Sequence, residues 1–372
     1  MYLVKVLVLA NNAGGLYGFR GELLQALLKS GFQVFFCVPE GHEDLAVQKL
    51  TSLGCRHIRT QMNRRGVNPL EDLRLVKRYE HAVREVAPDV ILSYTIKPNI
   101  YGSYAARRYR VPIILNVTGI GSSLSDGRLK LVVRPLYKFA CKNATLVFFQ
   151  NSANLRYFLD SRMVEPSKAF LIPGSGVNLE RFKPLKKRQN DGVVKFLFIS
   201  RIMREKGIDE YLAAAGQIRR KYPNTEFQIL GPFEEQRYRQ FIEGNPDVRY
   251  LGVSDDVRDQ IREVDCVVHP SFYNEGMSNV LLEGAAMGKP LLASSIPGCR
   301  EVVDDGVNGF IVEPRSVGSL VIAIESFLNL GEQERARMGE ASRRKVEREF
   351  DRNFVVSAYL DAINGIVGKY SI

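Results

Sequence analysis

The chain has 372 residues and a mass of 42.0 kDa, a length typical of two domains. Hydrophobic residues make up 45% and charged residues 25% of the sequence, which excludes a disordered, collagen-like or disulfide-framework protein. Residues 1–180 contain 24 Lys and Arg against 13 Asp and Glu, whereas residues 181–372 contain 28 of each, so the whole net charge of +11 lies in the first half. This asymmetry indicates an anionic partner for the first half: nucleic acid, acidic lipid head groups or a phosphorylated substrate.

The cysteine and hydropathy patterns indicate the compartment. The five cysteines are scattered and contain no Cys-x-x-Cys pair, which favours a reducing environment. No stretch approaches the roughly 18 apolar residues of a membrane span, and the N-terminal apolar run is too short for a signal peptide. We therefore expect a cytoplasmic protein, any membrane contact of which is peripheral.

Short apolar runs typical of buried strands alternate with helical patterns along the first half. The strand-like runs cover residues 3–10, 34–38, 90–92, 113–117 and 146–149. Helical patterns cover residues 69–86 and 129–142, and an earlier one ends at Gly31, since glycine commonly follows the last helical residue. The alternation predicts a parallel sheet with helices on both faces.

A second α/β series follows a break in the pattern. The segment VNLERFKPLKKRQNDG, residues 177–192, is polar, basic and aperiodic, which predicts the interdomain linker. Further strands are predicted at residues 194–200, 227–231, 265–269, 290–293 and 309–312. The expected organisation is α/β, with two Rossmann-like domains (residues 1–180 and 181–350) facing a cleft, and a C-terminal helix within 351–372 that packs back on the first domain.

The strongest local motif is NEGMSNVLLEGAAMGKP, which follows a strand that ends in HPS. Seven residues separate Glu275 from Glu283. Gly276 lets a ligand approach the backbone, and Ser278 and Asn279 are candidate N-caps of a helix through Glu283. The free N–H groups and the dipole at this N-terminus favour an anion. A simple strand-loop-helix turn, with both glutamates on the surface, fits the spacing equally well.

A second motif, FISRIMREKGIDEYL, places two cations after a predicted strand. Arg201 and Lys206 follow the strand end at Ser200, and Gly207 precedes a helix. The planar donors of arginine and the point charge of lysine together suit the two phosphates of a diphosphate. Solvated loop cations are the alternative interpretation.

With both motifs in one half, the sequence resembles the retaining, nucleotide-sugar-dependent glycosyltransferases of family 4, which have the GT-B fold. The resemblance covers nearly the whole chain and includes SRIMREKG, VVHPSFYNEG, EGMSNVLLEG, VVDDGVNGFIVEP and the glycine loop NNAGG. It implies that Glu275 contacts the donor sugar hydroxyls, that Glu283 holds the ribose hydroxyls, and that Arg201 and Lys206 hold the diphosphate. Glu275, Arg201 and Lys206 are the expected catalytic residues. The remaining expected donor-binding residues are Gly276, Met277, Ser278, Asn279, Val253, Ser254, Gly14 and Gly15.

The implied reaction explains these residue types. Cleavage of the anomeric C–O bond leaves negative charge on the departing diphosphate, which nearby cations stabilise. The sequence has no Asp-x-Asp triplet, and its four histidines are not at ligand spacing, so we predict no metal and no other cofactor. His269 closes a strand and is interpreted as a packed or hydrogen-bonded residue. The resemblance implies retention of anomeric configuration, with the acceptor hydroxyl attacking on the leaving-group face and the diphosphate taking its proton.

The acceptor is expected on the first domain. Lys97 and Asn99 follow a predicted strand and are expected to face the cleft, where Lys97 would bind an acceptor phosphate; a solvated lysine is the alternative. Gly14 and Gly15 fit an ordinary strand-to-helix turn as well as a ligand loop. Many relatives have a histidine after a mid-domain strand, where this sequence has Thr118 in LNVTGIGSS, and we assign Thr118 to acceptor binding.

The basic residues of the first half favour docking on an anionic membrane leaflet. The predicted helix 129–142 has an apolar face of Leu129, Val132, Val133, Leu136 and Ala140 and a basic face of Lys130, Arg134 and Lys138. Further basic residues are Arg64, Arg65, Arg107, Arg108 and Arg110, and each cation near anionic lipid contributes about 1 kcal/mol. The segments MNRRGVNPLEDL, SYTIKPNIYGSYAAR and NVTGIGSS resemble those of the bacterial branch that extends undecaprenyl-diphosphate-linked sugars, some of whose members use UDP-GalNAc.

The leading interpretation is therefore a transferase that moves a hexose or N-acetylhexosamine from a UDP-sugar to a lipid-diphosphate-linked acceptor in polysaccharide or glycan assembly. A nucleotide-sugar 2-epimerase has the same architecture but needs acid and base groups for a C2 proton, and the histidines are few. A nucleic-acid-binding protein would use the positive half but lacks a recognisable reading module and leaves the glutamate pair without a role.

Overall fold

The computed structural model describes residues 3–63, 68–119, 127–187 and 192–368. The chain divides into two compact units, of which the first comprises Met1–Ser175 and Asn353–Ile372, and the second Gly176–Arg352. The first unit thus ends before residue 180, and the second continues slightly past residue 350. Within the described ranges, no helix has both the length and the apolar character that crossing a bilayer requires.

The first unit is a seven-stranded parallel sheet with helices on both faces. Its strands are β1 (Lys5–Leu9), β2 (Gln33–Val38), β3 (Arg56–Arg59), β4 (Val90–Tyr94), β5 (Ile113–Val117), β6 (Leu146–Phe149) and β7 (Ala169–Leu171), in the order β3-β2-β1-β4-β5-β6-β7. Its helices are α1 (Ala13–Lys29), α2 (Leu45–Ser52), α3 (Pro69–Val86), α4 (Ile96–Tyr109), α5 (Gly127–Asn143), α6 (Ser152–Asp160) and α13 (Arg352–Gly368). The predicted strands are confirmed. The two strands that were not predicted, β3 and β7, are short and lie at the sheet edges, where no buried apolar run is needed.

The second unit is a six-stranded parallel sheet. Its strands are β8 (Val194–Ile199), β9 (Thr225–Leu230), β10 (Arg249–Tyr250), β11 (Cys266–His269), β12 (Leu291–Ser294) and β13 (Gly309–Val312), in the order β10-β9-β8-β11-β12-β13. Its helices are α7 (Ile208–Lys221), α8 (Tyr238–Glu243), α9 (Arg258–Glu263), α10 (Asn279–Ala286), α11 (Val317–Leu328) and α12 (Glu332–Glu349). Because β8 and β11 are neighbours, the loops that follow them emerge side by side at the carboxyl edge of the sheet.

The predicted linker is wrong for the part of it that the structure describes. Val177 and Phe182 are buried in the core of the second unit, and the Val177 N–H donates to Phe350 O at 2.9 Å. Arg343 of α12 donates to the carbonyl oxygens of Phe182 and Ala286 at 2.9 and 2.8 Å. Val177, Phe182 and Arg343 thus fix this segment to the second unit, although its sequence shows no periodicity. Residues 188–191 lie outside the described ranges.

The C-terminal helix α13 lies in the first unit. Its buried face comprises Val355, Tyr359, Ile363 and Ile366, a spacing typical of one helical face. The ring of Tyr359 lies 4.9 Å from that of Phe148, and its hydroxyl accepts a 2.7 Å hydrogen bond from Asn116 Nδ2. Packing against β5 and β6 therefore fixes this helix to the first sheet.

Helix α5 buries most of the predicted apolar face, since Val133 and Ala140 are buried and Leu136 packs against the core. The predicted apolar residue Val132 is 56% exposed, and its neighbour Leu131 is 78% exposed. The buried residues are Val133, Tyr137, Ala140 and Cys141. The buried face also includes the aromatic ring of Tyr137, which the predicted aliphatic pattern did not contain. The exposed face therefore combines apolar side chains with Arg134 and Lys138.

Candidate functional site

Two loops of the second unit are joined at the carboxyl edge of its sheet. One follows β8 and includes a short 3-10 turn at Arg204–Lys206; the other follows β11 and leads into α10. The Phe272 N–H donates to Glu205 O at 2.9 Å, and the Ser271 hydroxyl donates to the same oxygen at 3.4 Å. These bonds bring together the two motifs that the sequence analysis singled out.

Gly207 permits the close approach of the two loops. Its φ of +79° lies in the left-handed region that glycine adopts without steric cost. A Cβ at this position would overlap Pro270 O, at a separation that real Cβ atoms essentially never show. Glycine is therefore required here, and it places the preceding Lys206 against the second loop.

Lys206 and Glu275 form an ion pair between the loops. Nζ of Lys206 contacts Oε1 of Glu275, and the two side chains are 10% and 12% exposed. The Tyr273 ring lies 4.9 Å from Lys206 Nζ and 5.9 Å from the guanidinium carbon of Arg201. Arg201 also pairs with Glu234 at 3.5 Å. Two of the three predicted catalytic residues, Arg201 and Lys206, thus lie over one aromatic ring, and the third, Glu275, pairs with Lys206.

The carboxyl of Glu275 is ionised at neutral pH. Burial by itself would raise its pKa, but the Lys206 charge and, less strongly, His269 lower the pKa to about 2. His269 Nε2 lies 3.4 Å from Glu275 Oε1. Glu275 is therefore a charged hydrogen-bond acceptor that contacts Lys206 and faces His269.

Glu283 lies in α10 and is half-buried. Burial raises its pKa from 4.5 to about 7, although the charges of Arg352 and Arg181 partly offset the rise. Its carboxyl makes no hydrogen bond with the described part of the chain. Such a carboxyl has free capacity to accept hydrogen bonds from ligand hydroxyls.

The N-terminus of α10 begins at the predicted residues. Ser278 is the N-cap, but its side chain forms no capping bond; its N–H donates to Gly298 O at 2.8 Å. Within the described ranges, Ser278 Oγ and Asn279 Oδ1 are buried without a hydrogen-bond partner. Gly276 lies against Gly298. Met277 is only 6% exposed and packs in the core, so a ligand would meet only its backbone, because α10 directs this apolar side chain inward.

The loop after β10 contains the remaining predicted donor-binding residues of this unit. Val253 is 64% exposed, and the Ser254 hydroxyl donates to Asp256 O at 2.8 Å. Arg258 binds the Asp256 carboxylate and lowers its pKa to about 2. Because the charge of Asp256 acts on Glu283, this loop and Glu283 belong to the same neighbourhood.

The glycine pair of the first unit does not form a loop. Gly14 and Gly15 lie in the first turn of α1, and Asn12 caps this helix by accepting the Gly15 N–H. The Ala13 N–H donates to Glu40 Oε2 at 3.0 Å. Since a Cβ on Gly15 would lie 2.9 Å from Asn12 Oδ1, this glycine makes room for the cap. The structure therefore supports the helix-turn interpretation for Gly15.

The predicted acceptor residues are partly internal. Lys97 pairs with Asp72 at 2.7 Å, with exposures of 15% and 13%, so it joins α4 to α3 and is not a solvated lysine. Asn99 is fully buried and donates to Asn116 O and Tyr137 OH at 2.8 and 2.9 Å. The expectation that Asn99 faces a ligand is wrong, because its helix packs this position on the sheet. Thr118 follows β5 and is half-buried.

Several residues of the site were missed by the sequence analysis. Tyr273, beneath the two cations, lies within the VVHPSFYNEG motif and could have been noticed as the aromatic residue before Glu275. Arg181 and Arg352, which act on Glu283, are distant in sequence and carry no local pattern. No group of three or more His, Cys, Asp or Glu among the described residues is arranged to hold a metal ion. Arg64 and Arg65 lie outside the described residues, as do the side chains of Leu129 and Lys130.

Comparison with known proteins assigns a family to each half. Residues 5–151 match the model "Glycosyl transferase 4-like", and residues 180–345 match "Glycosyl transferases group 1". A relative from Campylobacter jejuni, N,N'-diacetylbacillosaminyl-diphospho-undecaprenol alpha-1,3-N-acetylgalactosaminyltransferase, is 26% identical over 98% of this chain and 99% of its own. The Escherichia coli UDP-Gal:alpha-D-GlcNAc-diphosphoundecaprenol alpha-1,3-galactosyltransferase is 26% identical over 70% of this chain and 71% of its own.

A similar solved structure is that of Anabaena Alr3699/HepE in complex with UDP and glucose. It is 19% identical, with a TM-score of 0.79 over 97% of this chain and 99% of that one. At this identity the similarity shows the fold, the two Rossmann-like domains of the GT-B type, which confirms the predicted fold class. The family models together cover the first six strands of the first sheet, the whole second sheet and both loops of the site. The chain thus belongs to the glycosyltransferases that combine a glycosyl transferase 4-like domain with a group 1 domain.

Proposed function

We propose that this glycosyltransferase moves a hexose or N-acetylhexosamine, such as GalNAc, from a UDP-sugar to a sugar carried on a polyprenyl diphosphate, with retention and without a metal ion. The observation that carries the proposal is the Lys206–Glu275 pair, in which two loops bring a cation and a carboxylate together beside Arg201. The names of the Campylobacter and Escherichia relatives supply the lipid-diphosphate acceptor, and the UDP complex of the Anabaena protein supports the nucleotide.

The site residues divide between the two ends of the donor. Lys206 and Arg201 would hold the diphosphate oxygens, on which negative charge grows as the anomeric C–O bond breaks. Glu283 would accept hydrogen bonds from the ribose hydroxyls, and Glu275 from hydroxyls of the sugar. In a retaining reaction, the acceptor hydroxyl attacks on the face that the diphosphate leaves, and a diphosphate oxygen takes its proton.

The first unit would dock on an anionic membrane leaflet that carries the acceptor. Helix α5 exposes Leu131 and Val132 beside Arg134 and Lys138. Apolar side chains that enter the interface and cations that meet lipid phosphates together give peripheral binding. This mixed face supports the cytoplasmic, membrane-peripheral location that the sequence predicts.

A transfer assay tests the proposal. The protein is incubated with a panel of UDP-sugars and lipid-diphosphate-linked acceptors in the presence of chelator, and products are separated by mass spectrometry. The proposal expects a glycoconjugate one sugar heavier than the acceptor. Conversion of the UDP-sugar to an epimer without acceptor, or transfer only when divalent metal is restored, would contradict it.

A further inference from the structure

His269 is a buried polar residue for which the proposed reaction has no use so far. It is the last residue of β11 and is 2% exposed. Its Nε2 lies 3.4 Å from Glu275 Oε1, beyond the usual hydrogen-bond range. Neither ring nitrogen has a hydrogen-bond partner in the part of the chain that the structure describes.

An unpaired polar atom in a protein interior is costly, so most buried polar atoms are paired. A histidine that served only to fill the core would gain nothing from its two nitrogens. The direction of Nε2 toward a carboxylate instead indicates a bond that forms in another state of the site.

Lys206, one partner of Glu275 in this structure, is also expected to bind the diphosphate. Oε1, the oxygen that His269 faces, is the one that contacts Lys206 Nζ. When a diphosphate binds, its oxygens compete for the Lys206 ammonium and weaken its hold on Glu275. Oε1 then loses its lysine contact in a side chain that is only 12% exposed, where water reaches it poorly, while His269 Nε2 already faces it.

We propose that His269 is a positioning residue for Glu275, which donates its Nε2–H to the carboxylate when the diphosphate draws Lys206 away. An ionised carboxylate only accepts hydrogen bonds, so the ring must carry its proton on Nε2. The movement needed is small, and the pairing of His269 with Ala293 in the sheet holds the backbone at this position. The inference rests on the proposed function, because the sugar that Glu275 holds belongs to the donor.

Three variants test this role. His269→Phe keeps an aromatic ring without a donor, and His269→Gln restores an N–H near the position of Nε2. His57→Phe, a half-buried histidine of the first unit, is the matched control. The readouts are kcat for transfer, the Kd for UDP by calorimetry, and thermal unfolding.

We expect His269→Phe to lower kcat by roughly tenfold to a hundredfold, the loss of one charge-assisted hydrogen bond. The Kd for UDP should change far less, because UDP lacks the sugar that Glu275 orients. His269→Gln should recover most of the activity, and His57→Phe should retain it. If His269→Phe fails to fold, His269→Leu, which also lacks a donor, replaces it in the comparison with His269→Gln.

A kcat of His269→Phe within about twofold of the wild type would overturn the inference. So would a His269→Gln variant as impaired as His269→Phe, or a loss of UDP affinity as large as the loss of kcat. These results differ from a failure of the proposed function, in which the wild-type protein itself transfers no sugar and binds no UDP.

Discussion

Lys206 and Glu275 are 69 residues apart in the sequence and form an ion pair. The contact exists because β8 and β11 are adjacent in a parallel sheet, so the loops after them begin side by side. Gly207 and the bond from Phe272 to Glu205 O then close the remaining gap. In the proposed reaction, the cation that stabilises the departing diphosphate is thus already present in the site before the ligand arrives.

Lys206→Ala removes the cation from the site. We expect transfer to fall by at least about a hundredfold, the effect typical of removing one donor that stabilises developing negative charge. The control is Lys221→Ala, which removes another lysine of the second unit that pairs with a glutamate, Glu325, but on the exposed surface. Initial rates of both variants provide the comparison, and near-normal turnover by Lys206→Ala would refute the diphosphate role.

Gly207→Ala should open the two loops. An alanine at φ +79° is strained, and its Cβ would also overlap Pro270 O. Gly306→Ala is the matched control, because Gly306 has a similar φ of +72° but open space around its missing Cβ. We expect Gly306→Ala to cost about 1 kcal/mol of unfolding free energy and Gly207→Ala clearly more, with loss of transfer. Urea unfolding measures both, and equal costs would contradict the close approach.

The buried carboxyl of Glu283 makes stability depend on pH. Below pH 4.5 it is protonated in both the folded and the unfolded chain. Between pH 4.5 and its folded pKa of about 7, the unfolded chain releases a proton that the folded protein keeps, so the free energy of unfolding falls by up to about 1.4 kcal/mol per pH unit.

Glu283→Gln should remove this fall, whereas the surface variant Glu325→Gln should preserve it. Urea unfolding at pH 5, 6, 7 and 8 provides the measurement. A stability difference between wild type and Glu283→Gln that is the same at every pH would show that Glu283 has an ordinary pKa.

The mixed face of α5 should contribute to membrane binding. Replacing Arg134 and Lys138 by alanine removes two exposed cations, each expected to weaken binding to phosphatidylglycerol vesicles about fivefold, which corresponds to about 1 kcal/mol. The double variant Lys221→Ala and Arg344→Ala removes two exposed cations of the second unit and should bind normally. Equal binding by both double variants in vesicle sedimentation would exclude α5 as the docking face.

Much of the second unit could be predicted because short sequence patterns determine its strands, loops and helices. Arg201, Lys206 and Glu275 each follow a recognisable strand, Glu283 lies in the helix that comes next, and parallel strand order brings the two loops together. The same reasoning predicts the C′ position of Gly31, where φ is +84°, from the end of an apolar helical pattern.

The failures have a common cause in tertiary packing. Asn99 and Lys97 occupy the start of α4, and the sequence does not reveal that Tyr137 and Asp72 would meet them. The anchors of the segment after Gly176 are two single apolar residues, too few to give a period. The charge of Arg352 acts on Glu283 only after the second unit has folded. No spacing in the sequence could therefore predict this interaction.

Calorimetric titration with UDP and with uridine, both with chelator present, tests the central claim most directly. The account predicts that the wild-type protein binds UDP much more tightly than uridine, and that Lys206→Ala weakens binding of UDP while leaving uridine nearly unchanged. Equal affinity of the wild type for UDP and uridine, or unchanged binding of UDP by Lys206→Ala, would contradict the claim that these two loops hold a diphosphate.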